Sequence, residues 1–217
     1  MLKLTFDPQK QLDTVLCLGA HCDDIEIGCG GTLMTLAERY PRAHFHWLVF
    51  SSEAEREAET RAAAARIFAS AARYHVDVLR FKGSYLPYQG AEVKDAIEAA
   101  RARLPDPGLI FTHTLQDRHQ DHRILAELTW NTFRNHCVLE YEIPKYEGDL
   151  GQPNLFVPFG AEIAERKVQM LEECFPSQRS RQWFEAGTFN GLMRLRGVEC
   201  ASPGGYAEAF HARKLTL

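Results

Sequence analysis

Short apolar runs alternate with longer amphipathic segments along most of this chain. The apolar runs have the length of buried strands and occupy residues 14–18, 44–51, 76–81, 109–112 and 138–143. The amphipathic segments predict helices over residues 31–40, 53–74, 91–104 and about 121–135. Strands that alternate with helices predict an α/β fold, with a mostly parallel sheet and helices on both of its faces.

The pattern predicts a short strand over 154–157 and changes from Gly160 onward. From there it predicts a helix over 161–174, a helical or irregular stretch over 177–196 and a turn over 202–205. It predicts no element for residues 206–215. We expect one domain over 1–217, with a core at about 13–157 and a C-terminal elaboration at about 158–217.

Composition and charge exclude several classes of protein. The chain has 217 residues, of which 45% are hydrophobic, and this suits one domain with a sizeable core. A net charge of −4 without a long basic run argues against nucleic acid as a partner. No apolar run is long enough to cross a bilayer, and no secretory signal precedes the first strand. Six scattered cysteines without a CxxC pair indicate reduced thiols, so we expect a cytoplasmic protein.

Polar residues follow the first strand, at the position where sites form in open α/β sheets. His21 and Asp24 share one turn there, so both can point at one metal ion. A second polar cluster follows the strand at 109–112, and its His122 is the third ligand that we expect. Two imidazoles and a carboxylate suit zinc, with one coordination position left open for catalysis. The expected cofactor is therefore Zn²⁺, or another divalent metal such as Fe²⁺.

Two neighbours of these ligands suit catalytic roles. Asp23 adjoins the ligands and can accept a proton from a metal-activated water. His119 lies three residues before His122 at the start of a predicted helix, and as an imidazolium it could stabilise an oxyanion. Asp121 or Asp117 would hold that ring charged and raise its pKa. These roles predict a bell-shaped pH profile, with Asp23 or the activated water on the acid limb and His119 on the basic limb.

The glycines between residues 28 and 31 allow a rival interpretation. Glycines between a strand and a helix can admit the pyrophosphate of a dinucleotide in Rossmann-type nucleotide-binding proteins. Asp23 and Asp24 oppose that role, because carboxylates repel phosphate. We therefore interpret the glycines as close helix packing beneath the metal loop. A metal-binding protein without catalytic activity is the second alternative.

The first polar cluster reads Ala20-His21-Cys22-Asp23-Asp24-Ile25-Glu26-Ile27-Gly28-Cys29-Gly30-Gly31-Thr32-Leu33. It resembles the signature A-H-P-D-D-E-x-x-G-x-G-G-T-L of a known family, the PIG-L/LmbE zinc-dependent N-deacetylases. The second resembles the motif H-x-D-H and reads Asp117-Arg118-His119-Gln120-Asp121-His122. Less specific likenesses are Arg56-x-x-Glu59, Lys167, Ser177-Gln178 and Ala207-Glu208-Ala209-Phe210.

The resemblance implies a Rossmann-like fold and a metal-dependent hydrolase that acts on linear amide C–N bonds. It implies that the zinc ligands are His21, Asp24 and His122, that Asp23 is the general base, and that His119, with Asp121 behind it, is the electrostatic catalyst or acid. The substrate would be a small N-acetylated amino sugar or its conjugate, and either Asp23 or His119 would protonate the departing amine. The loops at 82–90 and 145–153 would select that substrate.

The resemblance also implies a substrate-facing Arg56, although a solvated arginine at a helix start is the alternative. Cys22 stands where the family usually has proline, so the loop loses rigidity and gains a thiol beside the metal. The metal could hold this thiol partly ionised, or the cysteine could be buried and inert. His113 ends the fourth strand and is either a site residue or a strand cap. No oligomeric state is predicted.

Overall fold

The computed structural model describes residues 12–69 and 73–215. Within these residues, seven strands form one sheet in the order β3-β2-β1-β4-β5-β7-β6. The strands are β1 (Thr14–His21), β2 (His44–Ser51), β3 (Arg73–Val78), β4 (Leu109–His113), β5 (Val138–Tyr141), β6 (Leu155–Phe159) and β7 (Tyr206–Ala212). The first five strands are parallel, whereas β7 is antiparallel to both β5 and β6.

Helices cover both faces of the sheet, which confirms the predicted α/β architecture. They are α1 (Asp24–Arg39), α2 (Ala54–Ile67), α3 (Gly90–Arg103), α4 (Gln120–Thr132), α5 (Ala161–Cys174) and α6 (Ala186–Glu199). Buried side chains of α1, α2, α5 and α6 pack on one face, and those of α3 and α4 pack on the other. The chain therefore leaves β1 toward one face and the neighbouring β4 toward the other, which makes the edge between these two strands the place for a site.

The helix predicted over 53–74 is too long at its C-terminal end. Helix α2 ends at Ile67, and β3 already begins at Arg73. His75 of β3 is in register with His46 of β2, and the ring of Tyr74 stacks on Phe68 at 5.1 Å. Pairing with β2 therefore overrides the local helix propensity of this segment.

The first helix begins earlier than the pattern predicts. Helix α1 starts at Asp24 and includes the predicted glycine-rich turn, with a kink at Cys29 (φ −144°). A Cβ atom on Gly28 would overlap the ring of Tyr141, and one on Gly31 would lie 2.8 Å from Phe159. Gly28 and Gly31 thus serve the close packing that the sequence indicates, whereas a Cβ atom on Gly30 would make only ordinary contacts.

The C-terminal part adds strands to the sheet. The segment at 206–215, for which the pattern predicts no element, contains β7, and β7 lies between β5 and β6. Phe210 of β7 is fully buried and contacts the ring of Phe111 in β4 at 5.4 Å between centroids. Among the described residues, no helix is both long and apolar enough to cross a membrane.

Candidate active site

Three predicted ligands converge at the carboxyl edge between β1 and β4. His21 ends β1, Asp24 begins α1, and His122 lies in the first turn of α4. His21 Nδ1 lies 3.2 Å from His122 Nε2. Asp24 Oδ2 lies 3.4 Å from that nitrogen of His21, and the other oxygen, Oδ1, lies 3.4 Å from that nitrogen of His122. Ligand atoms bound tetrahedrally to one zinc ion lie about 3.3–3.4 Å apart, given the usual bond lengths. The donor set therefore suits a divalent metal ion. Two further histidines are close enough to contribute, because donor atoms of His21, His119 and His122 lie within 4.8 Å of one another, and so do those of Asp24, His113 and His122.

Two buried aspartates orient the two histidines. Asp121 Oδ2 lies 3.1 Å from His21 Nε2, and Asp117 Oδ2 lies 2.9 Å from His122 Nδ1. Each aspartate thus contacts the ring nitrogen that faces away from the other ligands, as carboxylates do behind metal-bound histidines. Although burial raises the pKa of Asp117, its hydrogen bond to His122 and the nearby positive charges hold it below the usual value.

The environment of His119 differs from the expectation of a charged ring. His119 is the N-cap of α4, and its Nδ1 accepts a hydrogen bond of 3.2 Å from the backbone N–H of Asp121. An accepting Nδ1 carries no proton, so the ring is neutral and Nε2 is the protonated nitrogen. Burial and the charge of His21 lower the pKa of His119, although nearby carboxylates act in the opposite direction. The predicted rise in this pKa is therefore wrong, because Asp121 and Asp117 direct their carboxylates to His21 and His122.

Asp23 lies between the ligands and α2. It adopts the left-handed conformation (φ 115°), which is costly for a residue with a Cβ atom. Arg56 Nη2 lies 2.9 Å from its Oδ1 and also donates to the carbonyl oxygen of Cys22. Burial raises the pKa of Asp23 to about 7, although the charge of Arg56 lowers it. Arg56, predicted to face substrate or solvent, contacts the predicted base, and its side chain is 24% exposed.

Cys22 matches the inert alternative of the two considered. Its side chain is buried and its Sγ donates to Ser52 Oγ at 3.1 Å. Burial raises the pKa of this thiol to about 12, so it stays protonated at neutral pH. A thiol of this kind is a poor nucleophile and a poor target for peroxide.

His113 lies inside the site. Its Nε2 lies 3.2 Å from Asp24 Oδ2, accepts the backbone N–H of Ala20 at 3.1 Å and lies 3.3 Å from Tyr141 Oη. Its ring stacks on His122 at 3.9 Å. Sequence reasoning left His113 open, yet the signal was present, because His113 ends β4 as His21 ends β1.

The two predicted substrate loops are joined to the aspartates behind the ligands. In the loop at 82–90, the backbone N–H groups of Ser84 and Leu86 donate to the Asp121 carboxylate at 2.5 and 3.1 Å. In the loop at 145–153, Lys145 Nζ lies 3.0 Å from Asp117 Oδ1. Sequence reasoning did not identify Lys145, because nothing local links it to Asp117. Each aspartate therefore connects one candidate ligand to one loop.

A family model described as PIG-L, GlcNAc-PI de-N-acetylase, matches residues 16–133, which is more than half of the chain. This chain belongs to the PIG-L family. The matched range contains both histidine-aspartate motifs, so the predicted family is confirmed.

Solved structures similar to this PIG-L chain share its fold at low identity. The N,N'-diacetylchitobiose deacetylase from Pyrococcus horikoshii is 19% identical, with a TM-score of 0.69 over 96% of this chain and 87% of that one. A deacetylase of teicoplanin biosynthesis is 20% identical, with a TM-score of 0.70 over 91% and 96%. The 4-carboxy-2-hydroxymuconate hydratase from Pseudomonas putida is 17% identical, with a TM-score of 0.70 over 94% and 98%. At these identities the likeness shows the fold, and the reaction must be argued from the site.

Proposed function

We propose that this PIG-L chain is a metal-dependent hydrolase that removes the acetyl group from an N-acetylated amino sugar or its conjugate. The convergence of His21, Asp24 and His122 at 3.2–3.4 Å, with Asp23 beside them, carries this proposal. When bound, the metal polarises a carbonyl group and makes a water molecule more acidic. Zinc fits two imidazoles and one carboxylate, and another divalent metal such as Fe²⁺ is compatible with the same donors.

Asp23 acts as the general base. A carboxylate with a pKa of about 7 is matched to proton transfer near neutral pH. It accepts a proton as water attacks the amide carbonyl carbon, and it then carries the proton that the departing amine requires. The ion pair with Arg56 directs Oδ1 toward α2, so Oδ2 is the oxygen available to water.

His119 stabilises the oxygen of the amide carbonyl as it gains negative charge. A neutral ring whose Nδ1 is occupied by the Asp121 N–H keeps a proton on Nε2 for this purpose. A ring nitrogen of His119 lies within 4.8 Å of ring nitrogens of His21 and His122, so the His119 ring is beside the candidate metal site. Asp121, predicted to stand behind His119, positions His21 instead.

The rim of the site supports a sugar or glycoconjugate as substrate. Tyr85 and Tyr88 in the loop at 82–90 are 45% and 83% exposed, and Tyr146 in the other loop is 66% exposed. Exposed aromatic rings on loops beside a site offer flat apolar surfaces to a ligand. The deacetylases with a similar fold, whose names refer to diacetylchitobiose and teicoplanin, support the same substrate class.

Metal analysis combined with a turnover assay tests this function. We would measure zinc content and the release of amine from a panel of N-acetylated sugars for the wild type, Asp23→Asn and His122→Ala. Asp23→Asn should keep its metal and lose most turnover, because an amide cannot accept the proton. His122→Ala should lose most of its metal, because a site with three protein ligands cannot spare one.

Each alternative has a distinct outcome. Loss of metal in Asp23→Asn equal to that in His122→Ala would make Asp23 a ligand rather than the base. Metal without turnover in the wild type would support a non-catalytic metal-binding protein. Tight dinucleotide binding without metal would support the nucleotide-binding alternative, which the structure makes unfavourable because Glu208 already accepts the backbone N–H groups of Gly31 and Thr32.

A further inference from the structure

A buried ion pair interrupts the hydrogen-bond ladder of α1. In a regular α-helix the Gly31 N–H would donate to the Ile27 carbonyl oxygen. Here the Gly31 N–H donates to Glu208 Oε1 at 2.9 Å, and the Ile27 carbonyl accepts from Lys167 Nζ at 2.6 Å. Lys167 Nζ also contacts Glu208 Oε1 at 2.6 Å, and the Thr32 N–H donates to Glu208 Oε2 at 2.7 Å. The ion pair therefore satisfies the backbone groups on both sides of the kink at Cys29.

Both members of the pair come from distant parts of the chain. Lys167 lies in α5 and Glu208 in β7, outside the residues 16–133 that the family model matches. Their side chains are only 3% and 4% exposed. Two charges buried this deeply rarely add net stability relative to apolar residues, since desolvation offsets their attraction. Both side chains instead bond backbone groups of α1 on the two sides of the kink.

The first turn carries the carboxylates of the candidate site. It contains Asp24, and the Ile27 N–H donates to the Asp23 carbonyl oxygen at 2.9 Å. Ile27 therefore links Lys167 to Asp23, because its carbonyl oxygen accepts from Lys167 and its N–H group donates to Asp23. The kink at Cys29 separates this turn from the longer part of α1.

We propose that the Lys167–Glu208 pair is a positioning element of the candidate metal site. It sets the first turn of α1 so that Asp24 meets His21 and His122, and it acts through Ile27, Gly31 and Thr32 rather than through the metal. This inference rests on the proposed function, because it assumes that Asp24 binds a metal ion. Supporting contacts of this kind change metal affinity about 10–100-fold when they are removed.

The zinc affinity of matched variants tests the inference. Glu208→Gln removes a charge and leaves the amide nitrogen unable to accept the Thr32 N–H. Glu142→Gln is the matched control, because Glu142 forms a similarly buried ion pair with Arg196 at 2.7 Å. This pair lines the same cavity as Lys167 and Glu208, but among the described residues neither Glu142 nor Arg196 is hydrogen-bonded to α1. The double variant Lys167→Met with Glu208→Gln removes both charges and guards against misfolding caused by one unpaired charge.

Zinc dissociation constants would be measured by chelator competition, with amide hydrogen exchange at Gly31 and Thr32 and thermal unfolding as further readouts. Glu208→Gln and the double variant should bind zinc about tenfold or more weakly and exchange these two amides faster. Glu142→Gln should lose thermal stability while its zinc affinity and these amides stay close to wild type.

Two results would overturn the inference. If Glu208→Gln bound zinc as tightly as the wild type, the positioning role would be overturned and the proposed function would stand. The same holds if Glu142→Gln lost as much zinc affinity as Glu208→Gln. A wild-type protein that binds neither zinc nor Fe²⁺ would overturn the proposed function and this inference together, and only that result involves both.

Discussion

At the scale of single residues, the site depends on which partner each charged group has. Asp23 is paired with Arg56, whereas Asp121 and Asp117 are paired with His21 and His122. These pairings give carboxylates that are close in sequence different pKa values. Asp23 keeps a raised pKa suitable for a base, while Asp117 and Asp121 have lowered pKa values and remain ionised behind the histidines.

The charge of Arg56 predicts a shift in the pH profile. Arg56 favours the ionised form of Asp23 and so lowers its pKa. Arg56→Gln removes this charge, so the pKa of Asp23 should rise and Asp23 should stay protonated to a higher pH. The acid limb of a kcat/KM profile should therefore move upward in pH. Arg56→Lys, which keeps the charge, should move it far less, and an unshifted limb in Arg56→Gln would show that Asp23 does not set it.

Because His119 is the N-cap of α4, its structural role and its proposed catalytic role can be tested separately. His119→Ala should keep its zinc and lower kcat about 10²–10³-fold, because it removes one donor to the developing oxyanion. It should also lose about 1 kcal/mol of folding stability together with the cap. His119→Asn restores a capping acceptor but not the reach of Nε2, so it should recover stability without recovering kcat. Loss of zinc in both variants would instead make His119 a ligand.

At the scale of elements, the packing of α1 depends on which side chains lie against its glycines. Gly28 lies against the fully buried Tyr141, whose hydroxyl donates to the Leu18 carbonyl oxygen at 2.6 Å. The nearest atom to a Cβ on Gly30 would be 3.6 Å away, which is ordinary contact. The two glycines therefore occupy the same helix for different reasons.

This difference predicts opposite effects of the same substitution. Gly28→Ala should destabilise the fold by about 1–3 kcal/mol, because the Tyr141 ring has no free space to enter. Gly30→Ala should be neutral or stabilise by about 0.5–1 kcal/mol, because alanine restricts the unfolded chain and favours the helix. Urea denaturation of both variants measures the difference. A stable Gly28→Ala would mean that Tyr141 moves, and the first turn of α1 would then be less firmly packed than the structure indicates.

At the scale of the whole molecule, the C-terminal segment is part of the same sheet as the site. Strand β7 pairs with β5 and β6, and Glu208 within it reaches α1. Glu59 of α2 accepts the backbone N–H of Ser177 at 2.9 Å, so the two weak likenesses at these positions meet in space. The late part of the chain thus contacts α1, which carries Asp24, and α2, which carries Arg56.

This arrangement predicts that the expected core does not fold alone. A chain that ends at residue 157 lacks β7 and exposes the β5 edge and the apolar surface that Phe210 covers. It should show no cooperative thermal unfolding, whereas a chain that ends at Arg213, after β7, should unfold cooperatively. Circular dichroism during heating compares the two. Cooperative unfolding of the shorter chain would make residues 158–217 a dispensable addition.

The sequence by itself determined the family, the fold class and the edge of the sheet at which the polar clusters meet. These features depend on local patterns, because a strand, the polar turn after it and the following helix are contiguous in the chain. Parallel strands then bring such turns to one edge regardless of the detail of packing. His21 and His122 could therefore be predicted to meet although they are 101 residues apart.

Only the tertiary structure decided which groups stand behind these residues. Asp121 lies two positions from His119 yet contacts His21, which is 100 residues away, and this partner depends on how α4 packs against β1. Tertiary packing also determined three other features, which are the start of β3, the place of β7 in the sheet and the Lys167–Glu208 pair. Each results from hydrogen bonds and burial between segments distant in sequence, and a local pattern carries no information about such partners.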